Sequence, residues 1–405
     1  MKYIKIIQIF IIFILVVTGC NDSQYPEDVW DPNEVPNSNP EIHNVLPADS
    51  AFAGADVVYI NGENFGQSID DILVYFNSEL GDIISADDTL ILVSPPAIIS
   101  DSVTIKVSVK GAFLFGEYHE YKLISRMVQY GAFDSIEESV WGLAVDTLEN
   151  VFAGLTGSGT SEGTIEKLLP PNGERSEENI QAALNTMRSM RVGPDNYIYY
   201  VDGANPYVIK SEIGGSGLSY VGLPGVVTDL DFDSNHILYT GGGGQAIYSL
   251  NKDLSILSTS NYTDISILAI KTFENNLYVA GYYIGDDESI PIVAMYRNEI
   301  LDENGTLGEK EIVFDWRILS GTIGNITSIV FDETGTMYIG SDTDYGIMTY
   351  SDGILNPYYE KVIFAPISKM SWGNGQYLYL NFRGEKRMIN RFDTRINGAP
   401  YGGRE

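Results

Sequence analysis

Apolar residues recur along this chain in short runs, most of them at every second position, and Gly, Asn, Asp and Pro fill the gaps between runs. A period of two predicts half-buried strands. Val103, Ile105, Val107 and Val109 alternate with polar residues, and residues 57–60, 72–76 and 90–93 form similar runs. The one helical candidate spans 177–191, where Ile180, Leu184 and Met187 fall at helical spacing. Two stretches break the pattern. Residues 6–17 are apolar apart from Gln8, and residues 21–39 hold three Pro, five acids and four Asn with no apolar period.

The apolar stretch follows Lys2 and Lys5 and ends at Val17-Thr18-Gly19-Cys20. It is too short to span a bilayer, which takes about 20 apolar residues, and it has the length of a secretory leader. Val-Thr-Gly-Cys resembles the lipobox of bacterial lipoproteins. That resemblance implies cleavage after residue 19 and lipidation of Cys20, so that the chain meets a membrane only through its lipid anchor. Cys20 is the single cysteine, which excludes a disulfide within the chain. Residues 20–39 then read as the lipidated cysteine and a spacer poor in core formers.

Residues 40–124 predict a small β-sandwich of about seven strands. Pro40, Ile42, Pro47, Ala53-Gly54, the stretch from Ile60 through Gly62, Asn64, Phe65 and Gly66, Val74, Phe76 and Ser94-Pro95-Pro96 resemble an IPT/TIG domain, an immunoglobulin-like fold. Asn77 stands where that family often has glycine. Gly62 and Gly66 are expected to allow positive φ around the hairpin, with Phe65 plugging the sandwich.

From residue 125 to 405 one unit repeats: an apolar strand, an Asp/Asn/Gly turn, an aromatic anchor and a strand of small residues. The anchors are Phe152, Tyr199, Tyr239, Tyr278, Tyr338 and Tyr379, separated by 47, 40, 39, 60 and 41 positions. A period near forty with tight turns is that of a propeller blade, so six anchors predict a six-bladed β-propeller, and the units are loosely similar to NHL repeats. The last unit lacks an outer strand while residues 127–133 have no blade of their own. Strand 127–133 is therefore expected to close the ring, because an open sheet edge invites aggregation. The fold class is all-β, a sandwich followed by a propeller. The interval of 60 holds an insertion between Tyr296 and Ile323, and insertions in repeat folds often project from the binding face.

Composition narrows the partners. The net charge is −31, and loss of residues 1–19 with two lysines makes it −33. Nucleic acid and anionic lipid are repelled by such a chain. His43, His119 and His236 are far apart, no nucleophile elbow is present, and the run Gly241–Gly244 lacks the Lys-Ser/Thr of a phosphate loop, so no catalytic constellation emerges. No cofactor is expected, calcium being the one possibility: Asp231, Asp233 and Asn235 place oxygen ligands at alternate positions. Asx-turn chemistry explains the same residues without an ion. For a ligand, Trp141 and Trp372 on inner strands and Trp316 at the end of the insertion offer flat rings that stack on sugar faces. Trp316 is the preferred position because it lies outside the repeated frame. The whole resembles surface lipoproteins of Bacteroidetes-like bacteria, which implies an outer-membrane or cell-surface protein that captures glycan or another macromolecule. An envelope scaffold for protein partners is the first alternative, and a propeller enzyme of lyase or lactonase type the second.

Overall fold

The computed structural model describes residues 36–404, apart from 135–136, 158–162, 344, 360–361, 364–365 and 383–387. The leader 1–19, Cys20 and most of the spacer lie outside the described residues. Contacts divide the chain into two units: residues up to Ala48 with Val58–Val93 and Thr104–Glu120, and Asp49–Val57, Ser94–Val103 and Tyr121 onward.

Alternating apolar residues build the sandwich from two sheets. One has the order Glu41–Leu46, Val58–Glu63, Leu90–Ser94, Asp82–Ala86, and the other Ser50–Phe52, Gly116–Ile124, Ser100–Val109, Ile72–Phe76, Glu79–Leu80. Val103, Ile105 and Val107 point inward, and Phe65 is fully buried between the layers. The hairpin reading needs one correction. Positive φ falls on Asn64 and Gly66 and not on Gly62. Gly62 is needed for a different reason: a Cβ there would lie 1.9 Å from the Glu41 carbonyl oxygen on the paired strand. Asn77 takes φ 57°, a left-handed conformation that asparagine tolerates in place of glycine.

Among the described residues six four-stranded sheets follow. Blade 1 is Glu138–Val145, Val151–Gly157, Gly163–Leu169 and Glu174–Gln181; blade 2 is Ser189–Gly193, Tyr197–Val201, Tyr207–Glu212 and Leu218–Gly222. Blade 3 is Asp229–Phe232, Leu238–Gly241, Ala246–Leu250 and Ile256–Asn261; blade 4 is Ile265–Phe273, Asn276–Tyr283, Val293–Glu299 and Glu311–Asp315. Blade 5 is Ile326–Phe331, Met337–Ser341, Ile347–Ser351 and Ile354–Pro357. Blade 6 is Ile367–Trp372, Tyr377–Phe382 and Ile389–Asp393, with Met127–Gln129 antiparallel to the last as its outer strand. All inner strands begin at one end of the central channel. Blade 6 meets blade 1 through Asn381 Nδ2, which donates to the Trp141 carbonyl at 3.0 Å, and through the Tyr379 hydroxyl, which donates to Glu149 at 3.0 Å. Five of the six anchors are buried, and Tyr278 is half-buried against Phe331.

The helix expected over 177–191 is absent. Its residues are split between the outer strand of blade 1 and the inner strand of blade 2. Ile180 pairs with Ile165 across blade 1, and Met187 fills the gap between the blades. Burial between sheets outweighs a marginal helical spacing. No helix of the described residues is long and apolar enough to cross a membrane.

Candidate functional site: a funnel at one mouth of the channel

Where the inner strands begin, the channel opens into a funnel of about 260 Å³. Each blade gives it one residue at the same place: Trp141, Arg188, Thr228, Leu268, Thr327 and Ser368. Four of the six stand there because the strand is bulged. Register shifts between Val140 and Gly142, Ile267 and Ala269, Ile326 and Ser328, and Ile367 and Lys369 leave Trp141, Leu268, Thr327 and Ser368 as the extra residues. A bulge turns its extra side chain away from the regular pleat, here into the funnel. In blades 2 and 3, Arg188 and Thr228 immediately precede the first paired residue.

The rim is chemically mixed. Trp141 is half-buried, and the exposed Arg188 guanidinium lies 5.9 Å from the centre of its ring. Thr228 and Thr327 each donate their hydroxyl to a carbonyl on the inner strand of the next blade, Ile267 and Ile367, at 2.6 Å, which leaves their oxygen lone pairs to accept from a ligand. Asn325 donates its backbone N–H to Asp342, while its buried Oδ1 has no partner among the described residues. Outside the rim the short helix Trp316–Ser320, capped by Asp315 and stopped by Gly321 at φ 69°, carries the exposed Ile318, and Ile323 is exposed just beyond it.

Below the rim lie buried, paired charged side chains. Lys369 donates to Asp229 at 3.1 Å, and Asp229 also accepts from Ile270 N at 2.9 Å. Deeper, Asp231 accepts from Arg191 and Lys271, both at 2.9 Å, and from Thr272 N at 2.8 Å. Burial alone would push the Asp231 carboxyl up, but Lys271, Arg191 and its hydrogen bonds hold it below the usual carboxylate range. Burial pulls the Lys271 and Lys369 ammonium groups down, against the opposing pull of Asp231 and Asp229.

The far end of the channel is crossed by residues 394–404. Gly398 bridges to Asp332 of blade 5, Arg404 donates to the Trp372 carbonyl of blade 6, a Cβ on Gly402 would overlap the Asp233 carbonyl of blade 3, and one on Gly403 would lie 2.7 Å from the Val192 oxygen of blade 2. Touching blades 5, 6, 3 and 2, the segment passes over the axis. The Tyr401 ring lies 4.6 Å from the Lys271 ammonium, and burial pushes its phenol well up.

This arrangement reorders the expected site residues. Of the three described tryptophans, only Trp141 reaches the funnel. Trp316 is 0 % exposed, packed between blades 4 and 5, with Nε1 donating to Gly324 O at 3.0 Å. It has no face to offer a ligand. Trp372 is likewise buried, edge-on to Tyr338 at 5.0 Å. The insertion is divided: residues 300–310 extend a hairpin that packs Asn304 and Gly305 on blade 3, and only the segment from Trp316 onward stands beside the funnel. The expected oxygen cluster does not converge. Asp231 belongs to the buried ion pairs, Asp233 Oδ1 accepts from Asn235 N at 2.8 Å and Ile237 N at 2.9 Å in its own turn, and Asn235 is exposed. Among the described residues, three possible metal-ligand atoms within 4.8 Å of one another occur at Glu41, His43 and Glu63, all exposed on the sandwich. The rim residues Arg188, Thr228, Leu268, Thr327 and Ser368 were missed by sequence reasoning, although five of the six rim positions stand eleven places before their anchor and Leu268 ten.

No curated protein matches this chain. Among solved structures, an auxiliary nutrient binding protein from Bacteroides ovatus is similar over 90% of this chain and 99% of its own, at 12% identity and a TM-score of 0.48. A second auxiliary nutrient binding protein, from Bacteroides thetaiotaomicron, covers 90% and 99% at 11% identity and 0.46. A virginiamycin B lyase from Staphylococcus aureus covers 66% of this chain and 98% of its own at 13% and 0.43. At such low identity none of the three assigns a ligand or a reaction here. The family model described as IPT/TIG domain matches residues 40–121, so the sandwich is an IPT/TIG domain and the propeller with its funnel follows it.

Proposed function

We propose that this chain is a lipid-anchored binding protein of the cell envelope that holds a saccharide in the propeller funnel. One observation carries the ligand class: six blades converge on a rim that combines a flat indole, a guanidinium, three hydroxyls and one aliphatic side chain. A sugar ring offers an apolar C–H face beside hydroxyl groups, and a half-buried ring with polar groups around it complements both. The unpartnered Asn325 Oδ1 is a further acceptor for a sugar hydroxyl. Support for the anchor is the leader and the Val-Thr-Gly-Cys sequence at 17–20.

Glycan-array screening of residues 21–405, followed by titration of the hits, tests this. Trp141→Ala should weaken binding by about 1–3 kcal/mol, by analogy with stacking of bases on aromatic side chains. Affinity for a neutral saccharide should hold between low and high salt, since no charge pairing drives it. An array without hits, or a Trp141→Ala protein that binds unchanged, overturns the reading. The exposed Ile318 and Ile323 beside the funnel favour a second reading, a protein partner on this face. Ile318→Asp with Ile323→Asp would then abolish capture of that partner while leaving saccharide binding intact.

A further inference from the structure

Phe113, Leu114 and Phe115 are consecutive and 71%, 65% and 51% exposed, in the loop between strands Ser100–Val109 and Gly116–Ile124 of the sandwich. Single exposed apolar residues are ordinary, but three large ones side by side at a loop tip have no packing explanation in the sandwich. The tip is held in shape. Asn39 Oδ1 accepts from Phe113 N at 3.2 Å and Leu114 N at 3.0 Å, and Ala112 N donates to Val109 O at 3.0 Å. We infer that this tip dips into the lipid bilayer to which the chain is anchored. The inference rests on the lipid-anchor reading above and goes beyond it by assigning a protein surface to the membrane.

The occupant follows from where the chain arrives. Asn37 N donates to Gly111 O and Asn37 Nδ2 to Lys110 O, both at 2.9 Å, so the residues that lead from the anchor enter the sandwich beside this loop. Sixteen residues separate Cys20 from Asn37. Such a length reaches at most about 60 Å, and the loop is the part of the sandwich that this tether enters first. The charge around the tip also fits. In a chain of net −31, two acids beside the loop are paired with lysines: Asp71 with Lys110 and Glu117 with Lys106, each at 3.3 Å. Lys106 lies 5.8 Å from the Phe115 ring, and Lys110 is largely exposed, so both can raise their ammonium groups to the headgroups while the aromatics enter the interface.

The test uses the full-length lipidated chain in vesicles of phosphatidylethanolamine and phosphatidylcholine. Cys20 is the only natural cysteine, so Leu114→Cys offers a single thiol for an environment-sensitive fluorophore once Cys20 is lipidated. Tyr220→Cys, exposed on the outer strand of blade 2, is the control. On vesicles the label at 114 should shift to the blue and be quenched by brominated acyl chains, while the label at 220 stays as in water. Adding Phe113→Ser and Phe115→Ser to the labelled chain should abolish the shift without lowering the melting temperature. A lipidated chain whose label at 114 remains in water overturns the inference alone, as does a label that shifts only when envelope proteins are added. Mass spectrometry of the same sample scores the anchor separately: a chain without lipid overturns that reading and this one together.

Discussion

Asp231 sits where two cations meet one carboxylate, fully enclosed between blades 2, 3 and 4. Such a cluster persists only if its geometry and hydrogen bonds offset the loss of hydration, and removing one member leaves the others stranded. Asp231→Asn should therefore lower stability by about 3–5 kcal/mol in urea unfolding at neutral pH. Its pH signature has a definite sign. The folded carboxyl is held below its ordinary value, so its contribution is present above about pH 4 and is lost as pH falls through the lowered value. Below that range the gap between Asp231→Asn and the parent protein should close; a gap that stays constant would remove Asp231 from the charged core. Tryptophan at 316 and at 141 makes the complementary point. Trp316→Ala empties a packed site and should cost about 3–5 kcal/mol in the same assay. Trp141→Ala should cost clearly less, because one side of its ring already faces the funnel. Equal losses at the two positions would return Trp141 to the core.

At the scale of elements, ring closure depends on three residues. Met127–Gln129 pairs with Ile389–Asp393 and covers what is otherwise an open edge. A fragment beginning at residue 125 should unfold cooperatively, whereas one beginning at 137 should melt earlier and aggregate, as followed by circular dichroism and light scattering. Indistinguishable melting of the two fragments would mean that the closing strand contributes nothing. The all-β class and the repeat were legible because period-two runs, turn residues and the aromatic anchors at Phe152, Tyr199, Tyr239, Tyr278, Tyr338 and Tyr379 are local signals. The rim was not, although it keeps step with those anchors. Its residues are Trp, Arg, Thr, Leu, Thr and Ser, and nothing unites such side chains except the place in space that a bulge or a strand start gives them. The same blindness misjudged Trp316. Its position in an insertion suggested exposure, yet an N-capped helical turn folds it back between blades 4 and 5. The helix expected at 177–191 failed for the reverse reason, since Ile180 and Met187 are apolar for the sake of neighbouring sheets.

For the whole molecule, the segment that crosses the channel is the feature with the widest reach. Ending the chain after Asp393 should uncover Trp372, Asp233 and the Arg191–Asp231–Lys271 cluster, and the melting temperature should fall measurably in calorimetry. A shortened chain that melts with the parent would show that the segment merely rests on the propeller. Its presence also sets the traffic through the molecule. With paired charged side chains below the rim and residues 394–404 over the opposite mouth, the passage is a dead end. A polymer cannot be threaded through it like a cord through a bead. It can be held only by a terminus or a side branch, and it must back out by the way it came. If the funnel holds a saccharide as proposed, a long glycan trimmed at its ends, or capped there, would lose its grip on this socket even when every internal sugar is unchanged.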